Sequence, residues 1–186
     1  KNILKITKKP ISFEVFADEN KNIFNQALKI SSWGKQVYVK IPVTNSKGVF
    51  LGKAIKKLNN KNIKLNITAV YTADQTSKIL KKINKKTKVI ISIFAGRMAD
   101  TGKDPIPEFI KSVRLAKKYR NVEILWASVR ESYNYLQAEQ LGCHIITVPP
   151  SIIEKIEKFG KSFQKLTVET VKGFLVDSKK SKFNIN

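Results

Sequence analysis

The clearest indication of the fold is one stretch of the chain, Val37-Tyr38-Val39-Lys40-Ile41-Pro42-Val43-Thr44. Its β-branched and aromatic residues are typical of a β-strand. The run is apolar almost throughout and does not alternate between apolar and polar residues. This pattern indicates a strand with both faces covered, as in a parallel sheet on which helices pack.

Lys40 is the unusual residue of this stretch, because burying an ammonium group in an apolar strand is costly. A desolvated lysine loses its proton more readily than an exposed one. The neutral amine is the nucleophile that condenses with ketones and aldehydes to form a Schiff base. We therefore take Lys40 as the candidate nucleophile of an enzyme site. The alternative is an ordinary lysine that reaches from a strand end to solvent.

Five further apolar runs have the length and composition of strands, and they carry polar residues at comparable places. Together the six runs predict strands at residues 11–17, 37–43, 65–71, 89–94, 122–127 and 144–148. Polar stretches of helix length separate them. Strand starts therefore recur about every 20–35 residues, which is the length of a βα unit.

Three intervening stretches have the spacing of amphipathic helices. They are residues 20–33 with Ile23, Ala27 and Ile30 on one stripe, residues 107–119 with Phe109, Ile110, Val113 and Ala116, and residues 131–141, which end at Gly142 as a C-cap. An alternating βα chain forms either an open doubly wound sheet or a barrel. No glycine-rich phosphate motif follows the first strand, so we predict an α/β protein with the (β/α)8 TIM barrel fold in a single domain, residues 1–186. Only six of its eight strands are recognisable.

Composition limits the classes of protein to which the chain can belong. With 186 residues, 42% of them hydrophobic, the chain can bury a core, and no apolar run of about 18 residues predicts a membrane span. The amino terminus does not have the pattern of a signal peptide. A single cysteine, Cys143, excludes an internal disulfide and fits a reducing compartment, so we expect a cytoplasmic location.

The net charge of +22 raises the question of nucleic-acid binding. Nearly all of this charge comes from lysines spread along every helix-like segment, and only four arginines are present. Readers of phosphates and bases favour the arginine fork. We therefore interpret the lysines as solvated helix faces whose field can also attract anionic ligands, and we do not expect nucleic acid as a partner.

The polar strand residues belong to six segments that follow one another along the chain: Ser12-Phe13-Glu14-Val15, Tyr38-Val39-Lys40-Ile41-Pro42, Leu65-Asn66-Ile67-Thr68-Ala69, Ser92-Ile93-Phe94-Ala95-Gly96-Arg97, Trp126-Ala127-Ser128-Val129-Arg130 and Gly142-Cys143-His144-Ile145-Ile146-Thr147. In this order they resemble the transaldolase family of class I Schiff-base aldolases, which includes fructose 6-phosphate aldolases. The resemblance implies a barrel enzyme of the pentose phosphate pathway. Such an enzyme transfers a dihydroxyacetone unit between sugar phosphates without a metal or an organic cofactor.

The resemblance assigns catalytic roles to three residues. Lys40 is implied to be the Schiff-base lysine, whose iminium withdraws electrons when the C3–C4 bond of the donor breaks. Glu14 and Thr68 match the pair that holds a water for proton transfer around the imine. A glutamate inside an apolar strand needs a partner in any case. The alternative for Glu14 is therefore a structural ion pair with a lysine, and Lys40 is one candidate.

Four further residues are implied to contact the substrate: Asn66, Ser92, Phe94 and Ser128. Asn66 matches a residue that bonds substrate hydroxyls, and the alternative is a strand-end cap. The related fructose 6-phosphate aldolases tend to carry Gln in place of Glu14 and Tyr in place of Phe94. A phenyl ring cannot position a water or a proton as a tyrosine hydroxyl does, so we predict transfer in preference to simple cleavage.

Arg97 and Arg130 match the phosphate-binding residues of the family. The chemistry agrees, because a guanidinium holds a phosphate through two parallel hydrogen bonds. The alternative for each arginine is a surface salt bridge, for instance with Asp100 or Glu131.

The chain departs from the family before its first strand. Family members begin with two further strands, which carry an aspartate that acts on the C4 hydroxyl and an Asn-Pro motif, and residues 1–10 hold neither. We therefore expect an amino-terminally truncated barrel with open sheet edges near residues 12–17 and 144–148, and little activity from these residues alone. Two other functions stay open, an aldolase-like lyase and a non-catalytic basic barrel fragment that binds phosphorylated ligands.

Two other features receive structural interpretations. Cys143 and His144 are neighbours on one strand and point to opposite faces, so we interpret both as core packing residues and expect no metal site. Residues 166–178 carry apolar side chains at helical spacing. They are candidates either for a homo-oligomer contact or for closing the base of the barrel.

Overall fold

The structure, a computed structural model, describes residues 2–183 of the chain. The chain divides into two compact units, Lys1–Pro149 and Pro150–Asn186. The described part of the second unit contains two helices, α8 (Pro150–Ile156) and α9 (Phe163–Ser181). The prediction of a single domain stays a prediction.

Strands and helices alternate along the first unit. The strands are β1 (Ile11–Glu14), β2 (Val37–Pro42), β3 (Leu65–Val70), β4 (Val89–Phe94), β5 (Val122–Ala127) and β6 (Ile145–Ile146). The helices are α1 (Ile3–Ile6), α2 (Asn20–Ser31), α3 (Gly52–Asn60), α4 (Ala73–Leu80), α5 (Ala95–Ala99), α6 (Ile106–Ala116) and α7 (Asn134–Gln140). At least one helix lies in the connection between each pair of successive strands.

The six strands form one sheet in sequence order, and every neighbouring pair is parallel. The sheet curls into a partial barrel, which confirms the predicted α/β barrel class. Its register pairs Glu14 with Lys40, Lys40 with Asn66, and Pro42 with Thr68. Residues paired in a parallel sheet point to the same face. The polar side chains of successive strands therefore become neighbours on the inner face.

The core of the first unit lies between the sheet and its helices. The largest fully buried side chains of the strands include Ile41, Leu65, Ile67, Ile91, Ile93 and Trp126. Phe109 of α6 stacks on the Trp126 ring with centroids 4.4 Å apart. Burying aromatic side chains of this size contributes about 1.5–3 kcal/mol each to stability, so this contact fixes α6 on the sheet.

The predicted helix stripes are correct with one exception. Ile23, Ala27 and Ile30 of α2 are buried, as are Phe109, Val113 and Ala116 of α6. The prediction is wrong for Ile110, which is 46% exposed. Successive helix residues lie about 100° apart, so the residue after Phe109 turns toward solvent.

Strand β1 ends at Glu14 and does not reach residue 17, as the sequence predicted. The side-chain Oε1 of Gln26 accepts hydrogen bonds from the amides of Phe16 and Ala17, at 2.8 and 3.0 Å. These two amides are thereby withdrawn from the sheet ladder. Ser12 and Glu14 of β1 are exposed, so this strand is covered on one face only.

The helix predicted at residues 131–141 begins later, at Asn134. The Asn134 side chain accepts hydrogen bonds from the amides of Arg130 and Glu131, at 3.0 and 3.3 Å, which ties up the preceding turn. At the other end, Gly142 has φ +72°, which confirms it as a helix-ending residue. Strand β6 is shorter than predicted and covers only Ile145–Ile146.

Helix α9 contains the apolar segment predicted at residues 166–178. Its side chains Leu166, Val168, Val171, Phe174 and Leu175 are exposed. No helix among residues 2–183 is both long enough and apolar enough to cross a membrane.

Candidate active site

A cavity of about 680 Å³ runs along the inner face of the sheet and extends to residues that follow the carboxyl ends of β4 and β5. Eight of the nine residues predicted for the site line it: Lys40, Asn66, Thr68, Ser92, Phe94, Arg97, Ser128 and Arg130. Glu14, the ninth, does not line the cavity and reaches it through a contact with Lys40. The parallel register accounts for this clustering, because it brings equivalent positions of successive strands side by side.

Lys40 forms an ion pair with Glu14, and Lys40 Nζ lies 3.2 Å from Glu14 Oε2. The prediction that Glu14 is buried is wrong, because β1 is an edge strand of the described sheet and the carboxylate side chain is 45% exposed. The alternative considered for Glu14 was a structural ion pair with a lysine. The structure contains such a pair, and Lys40 is the lysine. Lys40 is less desolvated than predicted, with 29% of its side chain exposed. The pair holds the amine at the cavity wall beside a group that can accept its proton.

Asn66 is the centre of a hydrogen-bond chain across the inner face. Its Oδ1 accepts from Ser92 Oγ at 2.7 Å, and its Nδ2 donates to Ser12 Oγ at 3.0 Å. Asn66 is therefore a buried strand residue, and the interpretation as a strand-end cap is wrong. The sequence reasoning missed Ser12. The alternation of side chains along β1 could have indicated Ser12, because it puts Ser12 on the same face as Glu14.

Thr68 presents an unpaired hydroxyl to the cavity. The residue is 2% exposed, and Thr68 Oγ1 has no hydrogen-bond partner among residues 2–183. A buried hydroxyl without a partner is costly, and a bound water or substrate removes this cost. Thr68 is therefore available to hold a water beside Lys40.

A β-bulge follows directly at Ala69. The register shifts between Ile67 and Val70, and Ala69 has φ +56°. A left-handed conformation strains a residue that has a Cβ atom. Without the bulge, Thr68 and Val70 would point to the same face of the sheet. The extra residue directs Val70 to the opposite face, where it is fully buried, while Thr68 stays on the inner face.

Phe94 and Arg97 form a second wall of the cavity. The Arg97 guanidinium carbon lies 5.2 Å from the centroid of the Phe94 ring, and Tyr71 packs edge-on against that ring at 5.9 Å. The ring holds the guanidinium by a cation–π contact. Arg97 is thereby kept at the cavity without an ion-pair partner among the described residues.

The loop after β5 is held in place by contact with Gly96. A Cβ atom at Gly96 would lie 1.7 Å from the Ser128 carbonyl oxygen and 2.9 Å from Arg130 Cγ. Ser128 itself has φ +65°. This close approach brings Arg97 and Arg130, which are far apart in sequence, to one end of the cavity.

Arg130 is engaged by Asp100 in the structure. Arg130 Nε donates to Asp100 Oδ1 at 3.0 Å, and Arg130 Nη2 donates to Asp100 Oδ2 at 2.6 Å. These hydrogen bonds hold the pKa of the Asp100 carboxyl below its usual value, and the nearby charges of Arg130 and Arg97 add to the effect. The alternative of a salt bridge is thus present for Arg130. Its phosphate-binding role stays a prediction.

The interpretation of His144 as a core packing residue is wrong. This residue is exposed, and His144 Nδ1 accepts a hydrogen bond from the Ile124 amide at 3.1 Å. Cys143 is half-buried, and burial raises the pKa of its thiol to about 12. Such a thiol is a poor nucleophile near neutral pH, so the pair does not form a catalytic site.

Cys143 is expected to react slowly in the folded protein. At pH 8, a thiol with a pKa of about 12 is about 10⁻⁴ ionised, against about a quarter for a free cysteine. Labelling by a water-soluble maleimide should therefore be at least about 100-fold slower in native protein than in guanidinium chloride. Rates measured by mass spectrometry test this prediction. Equal rates in the two states would contradict the burial of Cys143.

Comparisons with known proteins identify the family of the chain. Residues 1–186 match the sequence pattern of the Transaldolase/Fructose-6-phosphate aldolase family. A probable transaldolase of Thermoplasma volcanium is 33% identical over 181 residues, which cover 97% of this chain and 75% of that protein. A probable transaldolase of Thermoanaerobacter sp. (strain X514) is 32% identical over 159 residues, which cover 85% of this chain and 70% of that protein.

A solved structure supports the fold alone. GMP reductase from Trypanosoma brucei, in complex with guanosine 5′-monophosphate, aligns with a TM-score of 0.51 and 11% sequence identity. The alignment covers 75% of this chain and 30% of the reductase chain. On the sequence match along its whole length, the chain belongs to the transaldolase/fructose-6-phosphate aldolase family.

Proposed function

We propose that the protein catalyses a transaldolase reaction, in which Lys40 forms a Schiff base with a ketose phosphate and passes a dihydroxyacetone unit to an aldose phosphate. Family membership supports an aldolase-type activity. One observation carries the assignment to this site. Lys40 Nζ lies 3.2 Å from the Glu14 carboxylate, at the wall of a cavity that also contains two arginines.

The reaction begins with removal of a proton from Lys40, because an ammonium group is not a nucleophile. Glu14 is within reach to accept this proton. The amine attacks the C2 carbonyl of the ketose, and loss of water gives an iminium. The C4 hydroxyl then gives its proton to a base, a role that the family resemblance assigns to an aspartate on a strand ahead of β1, and the C3–C4 bond breaks. The electron pair of that bond moves into the iminium to form an enamine, and an aldose phosphate leaves.

The second half of the reaction reverses these steps. The enamine carbon attacks the aldehyde of the acceptor, which forms a new C–C bond and restores the iminium. Water then hydrolyses the iminium and frees Lys40. The unpaired Thr68 hydroxyl is suited to hold this water. The chain from Ser92 through Asn66 to Ser12 offers hydroxyl and amide groups to the hydroxyls of the donor.

Phosphate binding is assigned to Arg97 and Arg130. Both line the cavity that contains Lys40, at the end formed by α5 and the loop after β5. A guanidinium supplies two donors in a planar fork, which matches two phosphate oxygens. Phosphate contacts at this end would orient the ketone toward the lysine.

Transfer is favoured over simple cleavage by Phe94, whose ring lines the cavity without offering a hydroxyl. An aldolase-like lyase is the second candidate and would release free dihydroxyacetone in the absence of an acceptor. A non-catalytic barrel that binds phosphorylated ligands would show neither activity. Following the family and the single cysteine, we also propose a role in the pentose phosphate pathway of the cytoplasm.

Borohydride reduction in the presence of fructose 6-phosphate is expected to attach the sugar to Lys40. Reduction converts the iminium into a stable secondary amine, which mass spectrometry of peptides locates. Lys40→Arg should abolish the adduct, because the guanidinium does not deprotonate in proteins. Lys56→Arg changes an exposed lysine of α3 and should leave the adduct intact. An adduct at another lysine, or none in folded protein, would contradict the proposed function.

A further inference from the structure

Asp100 binds the edge of the Arg130 guanidinium that the proposed function assigns to phosphate. Its two carboxylate oxygens face Arg130 Nε and Nη2 in the planar, paired arrangement that a phosphate also adopts with arginine. Asp100 follows directly after α5, three residues beyond Arg97. Both partners of the salt bridge are about half exposed, at 47% for Arg130 and 49% for Asp100. A dissolved anion can therefore reach the pair.

A ligand anion and Asp100 cannot both hold the same edge of the guanidinium. In the structure Arg130 Nε donates to both Asp100 carboxylate oxygens, and Arg130 Nη2 donates to Oδ2. An incoming anion must therefore displace Asp100 or bind the other edge of the Arg130 guanidinium. Arg97 lines the same cavity as Arg130, and it lines a second cavity together with Asp100. Departure of the Asp100 carboxylate would leave two guanidinium groups facing one ligand.

We propose that Asp100 is an internal competitor for the phosphate subsite, which holds Arg130 in the empty site and is displaced by a phosphate dianion but not by a carboxylate. This inference rests on the phosphate role given to Arg130 in the proposed function. Asp100 is a specificity-determining residue in this scheme. It takes no part in the chemistry at Lys40.

The competition discriminates by charge. A ligand carboxylate brings the same single charge and the same fork geometry as Asp100, so it gains no contact and still loses the entropy of association. A phosphate ester carries about −1.5 to −2 charges at pH 7 and three strong acceptor oxygens. It can therefore satisfy Arg130 and use the remaining oxygen on Arg97. Sugar acids are rejected and sugar phosphates are retained.

Calorimetric titration of the full chain with inorganic phosphate tests this inference. Asp100→Asn keeps the shape of the side chain, but its amide has one acceptor oxygen and an NH2 group that cannot accept from Arg130. At most one weaker hydrogen bond to Arg130 remains, so phosphate should bind about tenfold more tightly. The same variant should gain measurable affinity for lactate, a carboxylate probe for which we expect no measurable binding to the unaltered protein. Asp100→Ser removes the paired hydrogen bonds to Arg130 entirely and should show the same gains in affinity. This second variant keeps the test valid if one of the two fails to fold.

A matched control separates competition from a general change in charge. Asp74→Asn also removes one carboxylate from a surface ion pair, with Lys78 at 2.7 Å on α4, and should change phosphate affinity less than about twofold. Adding Arg130→Ala to Asp100→Asn should remove the gain. Unchanged or weaker phosphate binding in both Asp100 variants would overturn the inference, as would a gain that survives without Arg130.

The outcome does not depend on the proposed chemistry, because phosphate binding needs no reaction at Lys40. If the borohydride adduct fails to form while Asp100→Asn tightens phosphate binding, the proposed function is wrong and the competitor role stands. If the adduct forms and the Asp100 variants bind phosphate as the unaltered protein does, the competitor role is wrong and the proposed function stands.

Discussion

In protein to which the family's two amino-terminal strands have been joined, Lys40→Met is expected to lower turnover by at least about 10⁴-fold while leaving the fold intact. The substitution removes the group that forms the covalent intermediate, and losing a catalytic nucleophile has effects of this size or larger in other enzymes. Lys40 and Glu14 are 29% and 45% exposed, and an ion pair of this exposure contributes about 0–1 kcal/mol to stability. The free energy of unfolding should therefore change little.

The experiment combines a coupled assay of transaldolase turnover with urea unfolding. Lys56→Met serves as the control, because it makes the same chemical change at an exposed position of α3. It should retain normal turnover. A Lys40→Met protein that is folded and active would show that the reaction does not pass through a Schiff base at this lysine.

The sequence alone predicted the strands well, because continuous apolar runs mark the buried strands of a parallel sheet. The runs around Lys40 and Ser92 became β2 and β4 nearly to the residue. Period-two alternation, together with the order of the strands, also brought the polar residues to one face. That Asn66 and Thr68 line the same cavity as Lys40 could thus be anticipated from the sequence.

Contacts between residues distant in sequence could not be predicted in the same way. Glu14 was expected to be buried because its neighbours are apolar, but burial of an edge strand depends on what covers it. Gln26 ended β1 by a side-chain contact ten residues away from Phe16, which no local pattern indicates. The hydrogen bond of Ser12 to Asn66 likewise depends on the curl of the sheet.

The partner of Arg130 in its salt bridge also could not be chosen from the sequence. Asp100 was one of two candidate partners named from the sequence, and the choice between them depends on where α5 ends relative to the loop after β5. Gly96 decides that placement, because it lets the Ser128 carbonyl approach α5 more closely than any side chain would permit. A glycine in a sequence does not reveal which backbone comes close to it.

Gly96→Ala is accordingly expected to impair both stability and phosphate recognition. The new Cβ would lie 1.7 Å from the Ser128 carbonyl oxygen, and neither α5 nor the loop can absorb such an overlap without moving. Overpacking of this kind costs about 1–3 kcal/mol in the free energy of unfolding. The loop carries Arg130, and a displacement of about 1 Å at a binding group costs about 100-fold. We expect KM for a phosphorylated donor to rise by about that factor.

Urea unfolding and the KM for fructose 6-phosphate measure the two effects, again with the family's two amino-terminal strands joined to the chain. Gly173→Ala provides the matched control. Gly173 lies within α9, and a Cβ atom there would meet nothing within 4 Å. Alanine is favoured over glycine inside a helix by about 0.5–1 kcal/mol, so this variant should be slightly stabilised and keep its KM. If Gly96→Ala behaved like Gly173→Ala, the loop after β5 would not be packed against α5, and the glycine would not be what brings Arg130 to the cavity. A variant that loses stability but keeps its KM would separate the packing of the loop from phosphate recognition and remove Arg130 from the proposed subsite.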